Sequence, residues 1–170
     1  KRTLFFFFSC VHGLEAYAGY AIQTMILKEY LPKINRADAG FYFVHSLNPY
    51  GFKHHRRNTE AGVNLNRNCS ASPSLYSIKN DESVRLSQMF IPARPVAGTT
   101  CELLRRRRDQ GGKIFFDDVP LDDFIKSTGL GQYTDPKGLE FGGFGPEPQV
   151  AQFTKSLREI LPGYQDIVLF

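Results

Sequence analysis

The chain has no tryptophan, two methionines and three cysteines in 170 residues. The cysteines Cys10, Cys69 and Cys101 are odd in number and widely spaced, and no two stand as C-x-x-C. That excludes a zinc ribbon and a thioredoxin-type redox motif. It points to a reducing compartment, taken as the cytoplasm, with Cys10 as a buried free thiol rather than a ligand. No apolar run is long enough to cross a bilayer. The run Leu4-Phe5-Phe6-Phe7-Phe8 is short and leads into a polar segment without a small-residue cleavage site, so it does not read as a signal peptide, and no membrane partner is expected. The chain starts on Lys1 rather than Met and so reads as a piece, with any targeting segment upstream. A strong charge excess is also missing. The net charge of +4 and pI near 9.0 come largely from Arg105-Arg106-Arg107-Arg108. No interleaved aromatics or nucleic-acid motif accompany that run, so it reads as a solvated loop or helix face, and no nucleic-acid partner is expected.

Phenylalanine is abundant: 15 Phe and 8 Tyr predict a Phe-rich core in an ordinary globular domain. Leu4–Phe8 is continuously apolar, as in a strand covered on both faces. Ala16 to Leu31 has helical spacing, with Ala18, Ala21, Ile22, Met25 and Ile26 forming one apolar stripe and Pro32 as the stop. Phe41–Val44 reads as a second strand, Gln149–Leu161 as a helix and Ile167–Phe170 as a third strand. Ser83–Phe90 and Leu121–Ile125 read as short helices. Residues 50–80 carry loop chemistry, and Gly129–Pro148 reads as a long surface loop. The expected fold is α/β: a mostly parallel or mixed sheet with flanking helices, in one domain over residues 1–170.

Strand, helix and strand within the first 45 residues make a βαβ unit. In open α/β sheets, ligands sit outside the carboxyl ends of the strands. His12, Glu15, His45 and Asn48 all fall just after predicted strand ends. His12 and Glu15, three apart in Val11-His12-Gly13-Leu14-Glu15, can aim an imidazole and a carboxylate at one point, a nitrogen and oxygen donor pair that suits Zn²⁺. His45, at the end of the second strand, is placed to line a pocket there, while His54 and His55 read as exposed loop residues. H-x-x-E alone is a weak signal.

The motifs downstream of it are more specific. Asn48-Pro49-Tyr50-Gly51-Phe52, then Arg56-Arg57-Asn58, then Asn64-Leu65-Asn66-Arg67-Asn68 stand in order. This succession resembles the zinc metallocarboxypeptidase family, in which H-x-x-E precedes N-P-[DY]-G, an Arg-containing segment and D-x-N-R-N. The strings H-G-L-E-A-Y-A-G-Y-A-I-Q and H-S-L-N-P-Y-G-F, with Gly131-Gln132-Tyr133, Pro136-Lys137-Gly138 and Phe141-Gly142-Gly143, are most similar to a little-characterised branch of that family. The resemblance spans roughly residues 4 to 145, with gaps in 70–127. It implies a carboxypeptidase-like α/β/α fold with Zn²⁺ as cofactor and a peptide or small carboxylate-bearing molecule as substrate. His12 and Glu15 would be the first two zinc ligands. Arg57, or its neighbour Arg56, would face the oxyanion, and Asn66 and Arg67 would grip the substrate's terminal carboxylate.

The chain departs from the family's pattern in three places. The family adds a third zinc ligand, a His after a later strand, and a Glu general base, and neither has a candidate here, so the chain reads as a truncated N-terminal part with an incomplete site. Asn64 stands where the family has Asp, keeping hydrogen bonding but losing charge. Leu14 replaces an Arg of the digestive enzymes. The expected activity is zinc-dependent hydrolysis of a C-terminal peptide bond. An amidohydrolase acting on small acylated amino acids and a non-catalytic binding domain are the alternatives. Oligomeric state has no signal in the sequence.

Overall fold

A computed structural model describes residues 2–70, 72–90 and 121–170. Cys101 and Arg105–Arg108 lie outside the described residues.

Three parallel strands form the sheet, β1 (Thr3–Phe8), β2 (Ala39–Val44) and β3 (Asp166–Leu169), in the order β2-β1-β3. Among the described residues, five α-helices accompany it: α1 (Ala16–Met25), α2 (Pro49–His54), α3 (Asp81–Phe90), α4 (Leu121–Gly129) and α5 (Pro148–Ile160). The architecture is therefore α/β, as the alternation of elements predicts. Parallel register sets Phe5 opposite Phe41, Phe6 opposite Tyr42 and Phe7 opposite Phe43. Side chains on one face of paired strands are close neighbours, so these rings stack, with centroids 5.3, 5.1 and 4.8 Å apart. Phe7 also stacks on Phe170 at 4.9 Å. Successive residues of a strand point to opposite faces, and on β1 it is Leu4 and Phe6 that are fully buried. Phe6 and Phe8 meet Phe153 of α5 at 5.8 and 5.2 Å. The main apolar cluster is Leu47, Val63, Leu65, Phe141 and Val150, with Phe8, Val11, Val44 and Phe153 against it.

Two expectations are corrected. The apolar stripe of α1 is not its buried face: Ala18, Ala21, Ile22 and Met25 are exposed, Ile22 at 54%. The helix seats instead on Ala16, Gly19 and Gln23. A Cβ on Gly19 would lie 2.5 Å from that of Ser9, so only glycine permits this approach. Gln23 is buried because it satisfies the end of β2, donating to the Val44 carbonyl at 3.1 Å. Periodicity found the helix, and close backbone contact chose the face. The helix also gives way to a π-turn at Ile26–Tyr30 and a 3₁₀ turn at Leu31–Lys33.

The second correction concerns the Gly/Pro-rich stretch after α4. It is not a surface loop, since Gln132, Tyr133 and Phe141 are buried and a bridge joins Gln132 to Phe141. Its backbone polar groups are paired internally, as burial demands. Gln132 Oε1 accepts from the amides of Thr134 and Asp135, and Asn68 Nδ2 donates to the carbonyls of Gly142 and Gly145. No helix among the described residues is long and apolar enough to cross a membrane.

Candidate functional site

β1 delivers the chain to a sharp turn. Cys10 takes φ 58°, in the left-handed region that non-glycine residues seldom adopt. The turn is held by the Asn48 amide donating to the Cys10 carbonyl at 2.9 Å and by the Ser9 hydroxyl donating to the His45 carbonyl at 2.7 Å. Cys10 itself is a buried free thiol, as expected. His12 then caps a short 3₁₀ turn, Gly13–Glu15, that runs into α1.

This turn is pressed against the start of α2. A Cβ on Gly13 would lie 2.0 Å from the Gly51 carbonyl carbon and 2.4 Å from the Arg56 oxygen, while one on Gly51 would lie 2.5 Å from Asn48 Nδ2. The glycines of H-G-L-E and N-P-Y-G are thus one requirement seen from two sides. Asn48, fully buried, caps α2 by accepting from the Gly51 amide at 2.8 Å and donates Nδ2 to the Arg57 carbonyl at 3.0 Å. The Gly13 amide reaches the same carbonyl at 3.4 Å. Three segments far apart in sequence are tied together through backbone groups at the carboxyl ends of β1 and β2.

The side chains converge accordingly. His12 Nδ1 lies 3.2 Å from both Glu15 carboxylate oxygens, and Nε2 lies 3.0 Å from Asn64 Oδ1. The surrounding network assigns the imidazole's tautomer. Asn64 Nδ2 donates to Glu140 Oε2 at 2.6 Å, and Asn64 Oδ1 accepts from the Asn66 amide at 2.9 Å. Asn64 is therefore oriented with its oxygen toward His12, so Nε2 must carry the proton. In the neutral ring Nδ1 then presents a lone pair to a carboxylate, two acceptors face to face. Only a proton or a cation between them resolves that contact.

A metal ion fits the donor set. Tetrahedral zinc with ligand bonds of about 2.1 Å sets nitrogen and oxygen ligands roughly 3.4 Å apart, near the separation found between His12 and Glu15. A ligating His typically donates its other ring N–H to an oxygen acceptor, which is the role Asn64 plays here. His12 is buried, whereas the Glu15 side chain is 72% exposed, so the pair opens outward. Among the described residues, no cluster of three His, Cys, Asp or Glu side chains is placed to hold a metal.

Beside this pair lie the two arginines. Arg57 Nη2 is 3.3 Å from Glu140 Oε1, and Arg67 Nε is 3.5 Å from Glu140 Oε2. Arg57 is half-exposed, leaving donors free to face solvent. Asn66 is exposed at the same edge. A cavity of about 350 Å³ opens alongside, lined by Asn66, Arg67, Leu75, Ile78, Leu130 and Tyr133. Tyr133 donates its hydroxyl to the Arg67 carbonyl at 2.8 Å. Burial pushes the Tyr133 phenol above its ordinary value, and Tyr76 adds to this, against the pull of Arg67.

The structure thus brings His12, Glu15, Arg57, Asn66 and Arg67 to one place. His45 is not among them: its ring stands edge-on to Tyr20 at 4.8 Å, with Nδ1 3.4 Å from Gln23 Oε1. His54 and His55 lie against Tyr50 and Tyr17. Sequence reasoning missed Glu140, which bridges both arginines and Asn64. Its one signal was a lone acid within the Gly-rich run Gly138 to Gly145.

Fold and site together define an α/β domain that gathers an imidazole, a carboxylate and two arginines paired with Glu140 near the carboxyl ends of parallel strands. The family model described as "Protein of unknown function (DUF2817)" matches residues 1–170, and the chain belongs to that family. No curated protein and no solved structure matches the chain.

Proposed function

We propose that this chain carries two metal ligands and the carboxylate grip of a zinc metallocarboxypeptidase, which hydrolyses the C-terminal peptide bond of its substrate. The observation that carries the reading is the His12 ring, whose Nε2 is bonded to Asn64 Oδ1 at 3.0 Å while Nδ1 faces the Glu15 carboxylate at 3.2 Å. The ordered resemblance of the surrounding motifs to that family supports it.

His12 and Glu15 would hold the zinc. When bound, zinc supplies an acidified water and polarises the scissile carbonyl. Arg57, half-exposed and tethered through its own carbonyl to Asn48 and Gly13, would meet developing negative charge on the carbonyl oxygen. Arg67 offers a planar guanidinium to the substrate's terminal carboxylate, and the exposed Asn66 amide adds a donor beside it. The adjacent cavity has room for the terminal side chain. Turnover further needs a third protein ligand and a general base.

A second reading, capture of a metal or a carboxylate without turnover, is favoured by the two-member donor set among the described residues. Assay of the full-length zinc-loaded protein on peptides with free and amidated C-termini separates the readings. The carboxypeptidase reading expects release of the terminal residue from the free peptides alone. Equal cleavage of amidated peptides, or none of either, contradicts it.

A further inference from the structure

Asn64 stands behind His12 as a neutral hydrogen-bond partner, and a largely shielded carboxylate stands behind Asn64. Resting on the metal reading above, we propose that Glu140 is a positioning residue that supplies, through the Asn64 amide, the negative charge that strengthens His12 as a metal ligand.

The geometry is a relay of three groups. Glu140 Oε2 accepts from Asn64 Nδ2 at 2.6 Å, and Asn64 Oδ1 accepts from His12 Nε2 at 3.0 Å. A carboxylate accepting from one end of an amide raises electron density on its oxygen, and hydrogen bonds in such chains strengthen one another. A stronger acceptor at Nε2–H makes Nδ1 the better donor to a cation. The Asn64 contact is the shortest that Glu140 makes, against 3.3 Å to Arg57 and 3.5 Å to Arg67. Its side chain is 14% exposed, which keeps the field of the charge little screened.

The backbone is committed to this placement. Glu140 takes φ 53°, left-handed for a non-glycine residue, and strained conformations of this kind persist only where the surroundings enforce them. The Gln132 amide donates to the Glu140 carbonyl at 3.1 Å, and the Asn64 amide donates to the next carbonyl, that of Phe141, at 2.8 Å. Glu140 and Asn64 are thus clamped side by side. The two arginines balance the charge of this shielded carboxylate.

The test is a double-mutant cycle on zinc affinity in the full-length protein, read by competition with a chelator. Glu140→Gln, which keeps shape and removes charge, is expected to weaken zinc about 10-fold. In an Asn64→Ala background the same change is expected to cost less than about 2-fold, because the relay is already cut. Asn64→Asp with Glu140→Gln moves the charge one group closer and is expected to restore affinity. This pair also carries the test if Glu140→Gln alone does not fold. An equal loss in both backgrounds, or a charge swap as weak as Glu140→Gln, overturns the relay. If the wild type binds no zinc, the metal reading fails by itself. The relay is then read from the His12 Nε2 proton resonance of the metal-free protein, which Glu140→Gln should move upfield. An unmoved resonance overturns it.

Discussion

Two regions flank the exit of β1 and are built in opposite ways. On one side, Asn48, Asn64 and Asn68 are polar yet have no exposed surface, and every one of them bonds to backbone of another segment. On the other side, α1 carries apolar residues that remain in solvent, with Ile22 and Met25 at 54% and 46% exposure. Burial here follows which groups complete the backbone's hydrogen bonding more closely than it follows hydrophobicity. A buried amide side chain with all its partners is stable, and it specifies which loops meet. An apolar stripe without a facing element contributes little.

Breaking the polar side should cost most where backbone meets backbone. Gly13→Ala places a methyl within 2.0 Å of Gly51 and is expected to lower stability by about 3 kcal/mol or more. A denaturant midpoint within about 0.5 kcal/mol of wild type would show that the His12 turn and α2 are not locked together. Asn68→Ala strands the carbonyls of Gly142 and Gly145 and the Glu147 amide, and should cost about 2–3 kcal/mol by the same measurement. Tyr133→Phe removes the bond to the Arg67 carbonyl and should cost about 1 kcal/mol at neutral pH. It should also alter the alkaline limb. The phenol's value is raised in the fold, so its stabilising share is full below the ordinary phenol value near 10 and is lost as pH climbs through the raised one. Thermal melts should therefore fall less steeply above about pH 10 in Tyr133→Phe than in wild type. Ile22→Ser, on the exposed stripe, should change stability by less than about 0.5 kcal/mol. A large loss there would mean that the stripe is covered in solution.

The same contrast explains what could be read in advance. Continuous apolar runs placed β1, β2 and β3, and their parallel pairing follows from crossover lengths that no hairpin could span. The motifs His12-x-x-Glu15, Asn48-Pro49, Arg57 and Asn66-Arg67 are legible, and these four segments do meet. The α1 face was misjudged because hydrophobic spacing says nothing of the Gly19–Ser9 approach, which depends on a neighbour ten residues away. Residues 129–148 looked like surface because turn residues dominate there. Their burial comes from Asn68 and Gln132, whose side chains act as backbone partners and leave no periodic trace. Glu140 was invisible for the same reason. Its meaning lies in Arg57, Arg67 and Asn64, all more than seventy residues earlier.

Everything proposed for the site depends on the Nδ1 side of His12, with Glu15, being a metal-binding face. Zinc content and affinity, measured on the full-length wild type and on His12→Ala after dialysis against chelator, test it most directly. Stoichiometric zinc is expected in the wild type, with affinity weakened at least about 100-fold in the variant. Zinc retained equally by both proteins, or taken up by neither, would contradict it.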